Sequence, residues 1–229
     1  MSRPPRLTWE QYTTAWAALH GGFDVRRANP VVRGWIRLAY SGGFVLARMR
    51  VPPAAVTAFG LVLCVLVPVT AAIGPRGPVL FLAAALVLCA GVADAMDGAV
   101  AVVDGRASRL GFVYDSVADR IGEACWLAAF WLVGAPGPLV VLVGAVSWLH
   151  EYVRARAGSA GMEEIGVVTV GERPTRVSVA LVGLLLAGAA GLVRTEWVAG
   201  TITVAAVVWL LFALVGVGQR AVAVHRALR

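Results

Sequence analysis

Long apolar runs separated by short polar connections organise the chain. No Asp, Glu, Lys or Arg occurs in 51–75, 77–93, 124–149, 177–193 or 197–219, and a helix needs about 20 mostly apolar residues to cross a bilayer. The run from 124 to 149 contains Gly134-Ala135-Pro136-Gly137-Pro138, which reads as a tight turn between two helices. Six spans follow, at 51–74, 78–103, 110–134, 137–157, 176–194 and 197–219. Backbone groups in hydrocarbon must be satisfied within their own segment, so these runs are helices. The fold class is all-α: a polytopic six-helix membrane domain over 51–229.

Residues 1–50 form a separate cytoplasmic, juxtamembrane segment. Trp9, Trp16, Trp35 and Tyr40 interleave there with Arg26, Arg27, Arg33 and Arg37, a pattern that fits amphipathic helices lying at the membrane interface or a tail that only anchors orientation. No compact apolar stretch marks a removable signal peptide, so none is expected.

Composition agrees with a membrane protein, since 59% hydrophobic and 14% charged residues is far from the roughly 25% charge of soluble domains. All twenty basic residues are arginine. Eight precede residue 51, six lie in 104–109 and 154–176, and three follow 219; the opposite connections hold only Arg76 and Arg194, and Arg120 sits inside a span. The positive-inside rule therefore puts both termini in the cytoplasm, as for a multi-pass protein of a bacterial cell membrane. A net charge of +7 suits a surface facing anionic lipid rather than nucleic acid. Cys64, Cys89 and Cys125 fall within spans without metal-ligand spacing. His20, His150 and His225 are scattered and carry no motif.

Aspartate is used sparingly, and four of the six in the chain are Asp94, Asp97, Asp115 and Asp119. Ionisable groups inside a span cost a few kcal/mol each and mark functional sites. Asp94, Asp97 and Ala101 share one face of the second span, while Gly111, Asp115 and Asp119 share one face of the third. A short connection makes these helices antiparallel neighbours. Facing carboxylates repel unless cations intervene, and two divalent ions would balance four charges. Oxygen-only ligands select hard ions, Mg²⁺ first and Mn²⁺ second. Paired metals suit chemistry on phosphate oxygens. The competing reading is buried ion pairing with Arg106, Arg109 or Arg120.

The stretch Asp94-x2-Asp97-Gly98-x2-Ala101-x9-Gly111-x3-Asp115-x3-Asp119 resembles the signature of the CDP-alcohol phosphotransferase (phosphatidyltransferase) family, D-x2-D-G-x2-A-R-x8-G-x3-D-x3-D. One position departs, because the family's arginine after the alanine is Val102. The resemblance implies a transferase of phospholipid biosynthesis. Such an enzyme moves a phosphatidyl group from CDP-diacylglycerol to an alcohol, releases CMP and works as a homodimer. It further implies that Asp94, Asp97, Asp115 and Asp119 hold the metals and that Asp119 also takes the acceptor proton as general base. Asp94, Gly98, Ala101 and Gly111, with Thr57 of Pro52-Pro53-x3-Thr57, would lie on the CDP-lipid side, and Arg106 is the candidate substitute there for the missing arginine.

Arg154 in YVRARA, Arg173 and Arg176 in ERPTR, and Arg220 in GQR resemble the bacterial phosphatidylinositol-phosphate synthase branch, which implies an acceptor-phosphate pocket for inositol phosphate. Arginine forks bind phosphate bidentately. Each of these arginines, Arg156 included, is also explained as a topology charge. Glu163 and Glu164 are an unfamiliar acidic insertion there, and glycerol-3-phosphate or an unphosphorylated acceptor competes with inositol phosphate. A lipid-binding scaffold without turnover and an ion transporter remain open as other classes, although no inverted repeat of the transporter kind is visible.

Overall fold

The structure, a computed structural model, describes residues 7–19, 24–74, 77–162 and 169–229. His20, Arg76, Glu163 and Glu164 lie outside these. Every regular element among the described residues is helical: α1 (Trp9–Leu19), a short 3₁₀ turn (Val25–Arg27), α2 (Pro30–Arg48), α3 (Pro53–Ile73), α4 (Val79–Val103), α5 (Arg109–Val133), α6 (Gly137–Ser159), α7 (Arg173–Val193) and α8 (Trp197–Ala227).

Helices α3 to α8 occupy the six segments that the sequence marks as spans. Four of them, α3, α4, α7 and α8, are long and apolar enough to cross a membrane. Helices α5 and α6 have the length, 25 and 23 residues, but carry charge. Arg109, Asp115, Asp119, Arg120 and Glu123 lie on α5, and His150, Glu151, Arg154 and Arg156 on α6. The turn expected at 134–138 is present: Gly134 adopts φ 121° and the Ala135 amide donates to the Phe130 carbonyl at 2.9 Å, closing the end of α5. Helix α8 runs past the apolar stretch to Ala227, because the polar residues after 219 are no bar to helix once hydrocarbon is left behind.

The chain divides into two compact units, Met1–Leu61 with Ala90–Asp119 and Val62–Cys89 with Arg120–Arg229. In the first, Asn29 caps α2 by accepting from the Val32 amide at 2.9 Å, with Pro30 preset for the first turn. Tyr12, Val25, Ile36, Ala39 and Ala47 bury against Ala99, Val100 and Val103 of α4. Trp9, Tyr12 and Tyr40 pack with ring centroids 5.0–6.0 Å apart, and burial pushes the Tyr12 phenol up to about 12. The N-terminal helices are thus seated on α4 rather than trailing from it. At its far end α4 stops in a left-handed Gly105 (φ 64°), with the Arg106 amide donating to the Ala101 carbonyl at 2.8 Å.

Helix α2 comes so near α4 that a Cβ on Gly43 would stand 2.7 Å from Ala99 Cβ and 3.1 Å from the Ala99 and Val100 backbone. Gly43→Ala is expected to cost about 1–3 kcal/mol through overpacking. Gly34→Ala on the same helix meets nothing within 4 Å and should gain about 0.5–1 kcal/mol from helix propensity. Thermal unfolding in detergent checks the pair; equal effects would show that α2 is not held at this crossing.

In the second unit α8 packs against α6 and α7. Its core contains Trp126, Phe130, Leu184, Ile202 and Trp209, all essentially inaccessible. Phe130 meets Trp209 edge-on at 6.0 Å, and the buried Trp209 indole donates to Ser147 Oγ at 3.1 Å, as a buried indole requires.

Candidate active site

The acidic residues of the first unit converge as their spacing requires. Asp94, Asp97 and Asp115 each bring one carboxylate oxygen within 4.8 Å of the other two. Asp97 is buried at 6% exposure, while Asp94 and Asp115 are half-buried. Helix α3 supports the group: Pro53 opens it, and one turn later Thr57 donates to Asp97 Oδ2 at 2.6 Å. Asp119 is half-buried one turn beyond Asp115 and is not one of the three clustered carboxylates. Three carboxylates this close repel one another unless a cation lies among them. Oxygens around one octahedral Mg²⁺ are at most about 4.2 Å apart, so small side-chain adjustments close this set. An all-carboxylate donor set without His or Cys fits a hard divalent ion.

Gly98 is exposed beside this group, and a Cβ there would meet nothing within 4 Å, leaving that face of α4 open to a ligand. Ala101 is half-buried on the same side. Gly111 lies in the first turn of α5, where Ser108 accepts from its amide at 3.0 Å. Val102 packs against the aromatic and aliphatic cluster under α1 and α2, so valine suits this position in a chain whose N-terminal helices cover it. Arg106 Nε lies 3.7 Å from Asp104 Oδ2.

Four arginines of the second unit, Arg120, Arg154, Arg176 and Arg220, are drawn into ion pairs. Arg176, at 2% exposure, donates through Nη1 to both oxygens of the fully buried Glu123 at 3.0 and 3.2 Å. Its Nη2 lies 3.0 Å from Glu151 Oε1 and 3.1 Å from His150 Nδ1. Arg154 Nε meets Glu151 Oε2 at 3.0 Å. Arg120 joins Glu123 at 2.9 Å and Glu151 at 3.4 Å. Arg220 Nη2 meets Glu172 Oε1 at 2.5 Å. Arg173 begins α7 half-buried, and Arg156 is exposed in the last turn of α6.

Three of the four arginines singled out for an acceptor phosphate, Arg154, Arg176 and Arg220, therefore hold carboxylates. Sequence reasoning missed those carboxylates and set His150 aside. The signal available was the placement of Glu123 and Glu151 inside the predicted spans 110–134 and 137–157, the same signal that marked the aspartates.

The sequence pattern of the CDP-alcohol phosphatidyltransferases matches residues 50–216. The chain belongs to that family. The match takes in the whole signature and the arginines of α6 and α7. Among curated relatives, the phosphatidylinositol phosphate synthase of Mycobacteroides abscessus is 31% identical over 189 residues, 79% of this chain and 80% of that protein. The archaetidylinositol phosphate synthase of Aeropyrum pernix is 34% identical over 115 residues, 49% of this chain. That alignment spans only 55% of the Aeropyrum protein, and a match to the Mycolicibacterium smegmatis phosphatidylinositol phosphate synthase spans 44% of it. The crystal structure of Mycobacterium tuberculosis phosphatidylinositol phosphate synthase with CDP-DAG bound superposes with a TM-score of 0.62 at 26% identity, covering 82% of this chain and 92% of that one. The same enzyme with manganese and citrate gives 0.65 at 25% identity, covering 82% and 88%.

Proposed function

We propose that this family member transfers the phosphatidyl group of CDP-diacylglycerol to inositol-1-phosphate with release of CMP. The convergence of Asp94, Asp97 and Asp115, one carboxylate oxygen each within 4.8 Å of the others, carries the reading on the chain's own residues. The relatives' names favour inositol phosphate over glycerol-3-phosphate. The acceptor hydroxyl oxygen forms a bond to the lipid-side phosphorus of the pyrophosphate. The bridging bond to the CMP phosphate breaks, and CMP leaves with the electron pair.

Asp94, Asp97, Asp115 and Asp119 would hold two divalent ions, Mg²⁺ or Mn²⁺. When bound, such ions neutralise charge on the phosphate oxygens. Thr57 fixes the Asp97 carboxylate by its 2.6 Å hydrogen bond. The open surface at Gly98 and Ala101, with Gly111 and Arg106, takes the CDP-lipid. Asp119 removes the acceptor proton. Arg154, Arg173, Arg176 and Arg220 face the acceptor phosphate, where guanidinium donors make charge-assisted hydrogen bonds.

In this reading α5 and α6 cross the membrane as well, giving six spans with both termini in the cytoplasm of a bacterial cell. Of the charges that set them apart from the other four, Arg120, Glu123, Glu151 and Arg154 are matched inside the second unit, as charge-bearing spans require. Helices α1 and α2 lie at the interface, Trp35 and Arg37 exposed on α2.

Purified protein given CDP-diacylglycerol, Mg²⁺ and one acceptor at a time is expected to release CMP fastest with inositol-1-phosphate, slower with glycerol-3-phosphate and least with free inositol or serine. Chelation should abolish release. CMP release that ignores chelation or needs no alcohol would overturn the transferase reading, and preference for an unphosphorylated acceptor would overturn the assignment of the arginines.

A further inference from the structure

We infer that His150 is a positioning residue for the acceptor, tying Arg176 to Arg220 through Thr169 and Glu172. The inference deepens the proposed function and rests on its assignment of those two arginines to the acceptor phosphate.

His150 is completely buried on α6, and both ring nitrogens have partners. Nδ1 lies 3.1 Å from Arg176 Nη2. A guanidinium carries donors only, so Nδ1 accepts and the ring proton sits on Nε2. Nη2 also donates to Glu151 Oε1 at 3.0 Å, which accounts for the 3.5 Å approach of Nδ1 to that same oxygen. Nε2 in turn donates to Thr169 Oγ1 at 2.8 Å. The threonine hydroxyl donates to Glu172 Oε1 at 3.0 Å, and the Thr169 amide points to the same oxygen at 3.3 Å. Arg220 Nη2 closes the series on Glu172 Oε1 at 2.5 Å. Each member has one donor and acceptor role consistent with its neighbours, so the series runs in one direction from Arg176 to Glu172 and anchors Arg220.

The backbone comes close to the ring as well. A Cβ on Gly171 or Gly216 would touch His150 Cδ2 at 3.6 or 3.5 Å, and one on Gly216 would stand 2.7–2.8 Å from the Gly171 backbone. The lead-in to α7 therefore passes directly against α8 beside the imidazole. The assembly includes Arg120, Arg154, Arg176 and Arg220 against Glu123, Glu151 and Glu172, four guanidinium groups and three carboxylates, so most positive charge is matched internally. Phosphate recognition then depends on where the remaining N–H donors point, and that direction is what His150 and Thr169 hold.

The test compares wild type with Thr169→Val, Thr169→Ser and His150→Asn, measuring KM for inositol-1-phosphate, KM for CDP-diacylglycerol, kcat and thermal unfolding. Valine keeps threonine's shape without its hydroxyl. Thr169→Val and His150→Asn should each raise the acceptor KM about tenfold, the equivalent of one hydrogen bond, while leaving the CDP-lipid KM unchanged. Thr169→Ser should restore it. An unchanged acceptor KM in the folded variants, parallel rises in both KM values, or failure of serine to restore would overturn the inference. A wild type that releases no CMP with any phosphorylated acceptor is a different result, and it overturns the proposed function itself.

Discussion

Asp119→Asn is expected to lower CMP release by about 10²–10⁴-fold, the range lost when a general base is removed. Asparagine keeps the size of the side chain and the fold of α5, but its amide cannot take a proton. The arrangement of the first unit separates this change from loss of a ligand at the centre of the metal group. Asp94, Asp97 and Asp115 form the close group, whereas Asp119 stands one turn further along α5. Mn²⁺ titrated into the protein and followed by EPR should therefore bind more weakly to Asp119→Asn than to wild type, and far more weakly still to Asp97→Asn. Asp97→Asn removes a charge from the centre of the group while its amide oxygen can still accept from Thr57. Near-normal turnover in a folded Asp119→Asn protein would remove the base from the mechanism. Equal loss of Mn²⁺ in both variants would make Asp119 a metal ligand first.

The two halves of the candidate machinery differed in how far the sequence exposed them. The aspartates were legible because their relation is local. Asp94 and Asp97 share a turn of α4, Asp115 and Asp119 share a face of α5, and the short connection at 104–108 brings one helix after the other. Thr57 was found by resemblance alone, and its 2.6 Å bond to Asp97 supplies the physical reason for a hydroxyl there. Val102 could be read from sequence only as a departure; the cluster beneath α1 and α2 explains it. The network around Arg176 has no local signature. Glu123 lies 53 positions from Arg176 and His150 26, and no periodicity within one helix announces a pairing across three. Charge counting along the chain assigned Arg154, Arg176 and Arg220 to topology or substrate, because it could not weigh the glutamates that meet them only after folding.

Arg176→Ala is expected to destabilise the folded protein by about 3–5 kcal/mol, the cost of leaving a buried charge without its partner. Glu123 is fully inaccessible and receives two hydrogen bonds from Arg176. Arg120, at 2.9 Å, would be the one guanidinium left to it in this network. Truncation also strips the donor from His150 Nδ1 and the closest cation from Glu151 Oε1. A double variant identifies the cause. If the penalty is the uncompensated carboxylate, Glu123→Gln in the Arg176→Ala background should recover much of the loss, because an amide is far cheaper to bury than a charge. The same Glu123→Gln in wild type should be destabilising, since it removes half of the pair. This non-additivity is the mark of directly coupled residues, and thermal unfolding of the four proteins in one detergent measures it. Additive effects, or an Arg176→Ala protein within about 1 kcal/mol of wild type, would mean that Arg176 is not what holds α5, α6 and α7 together. The positive charge at that position would then be explained by substrate alone.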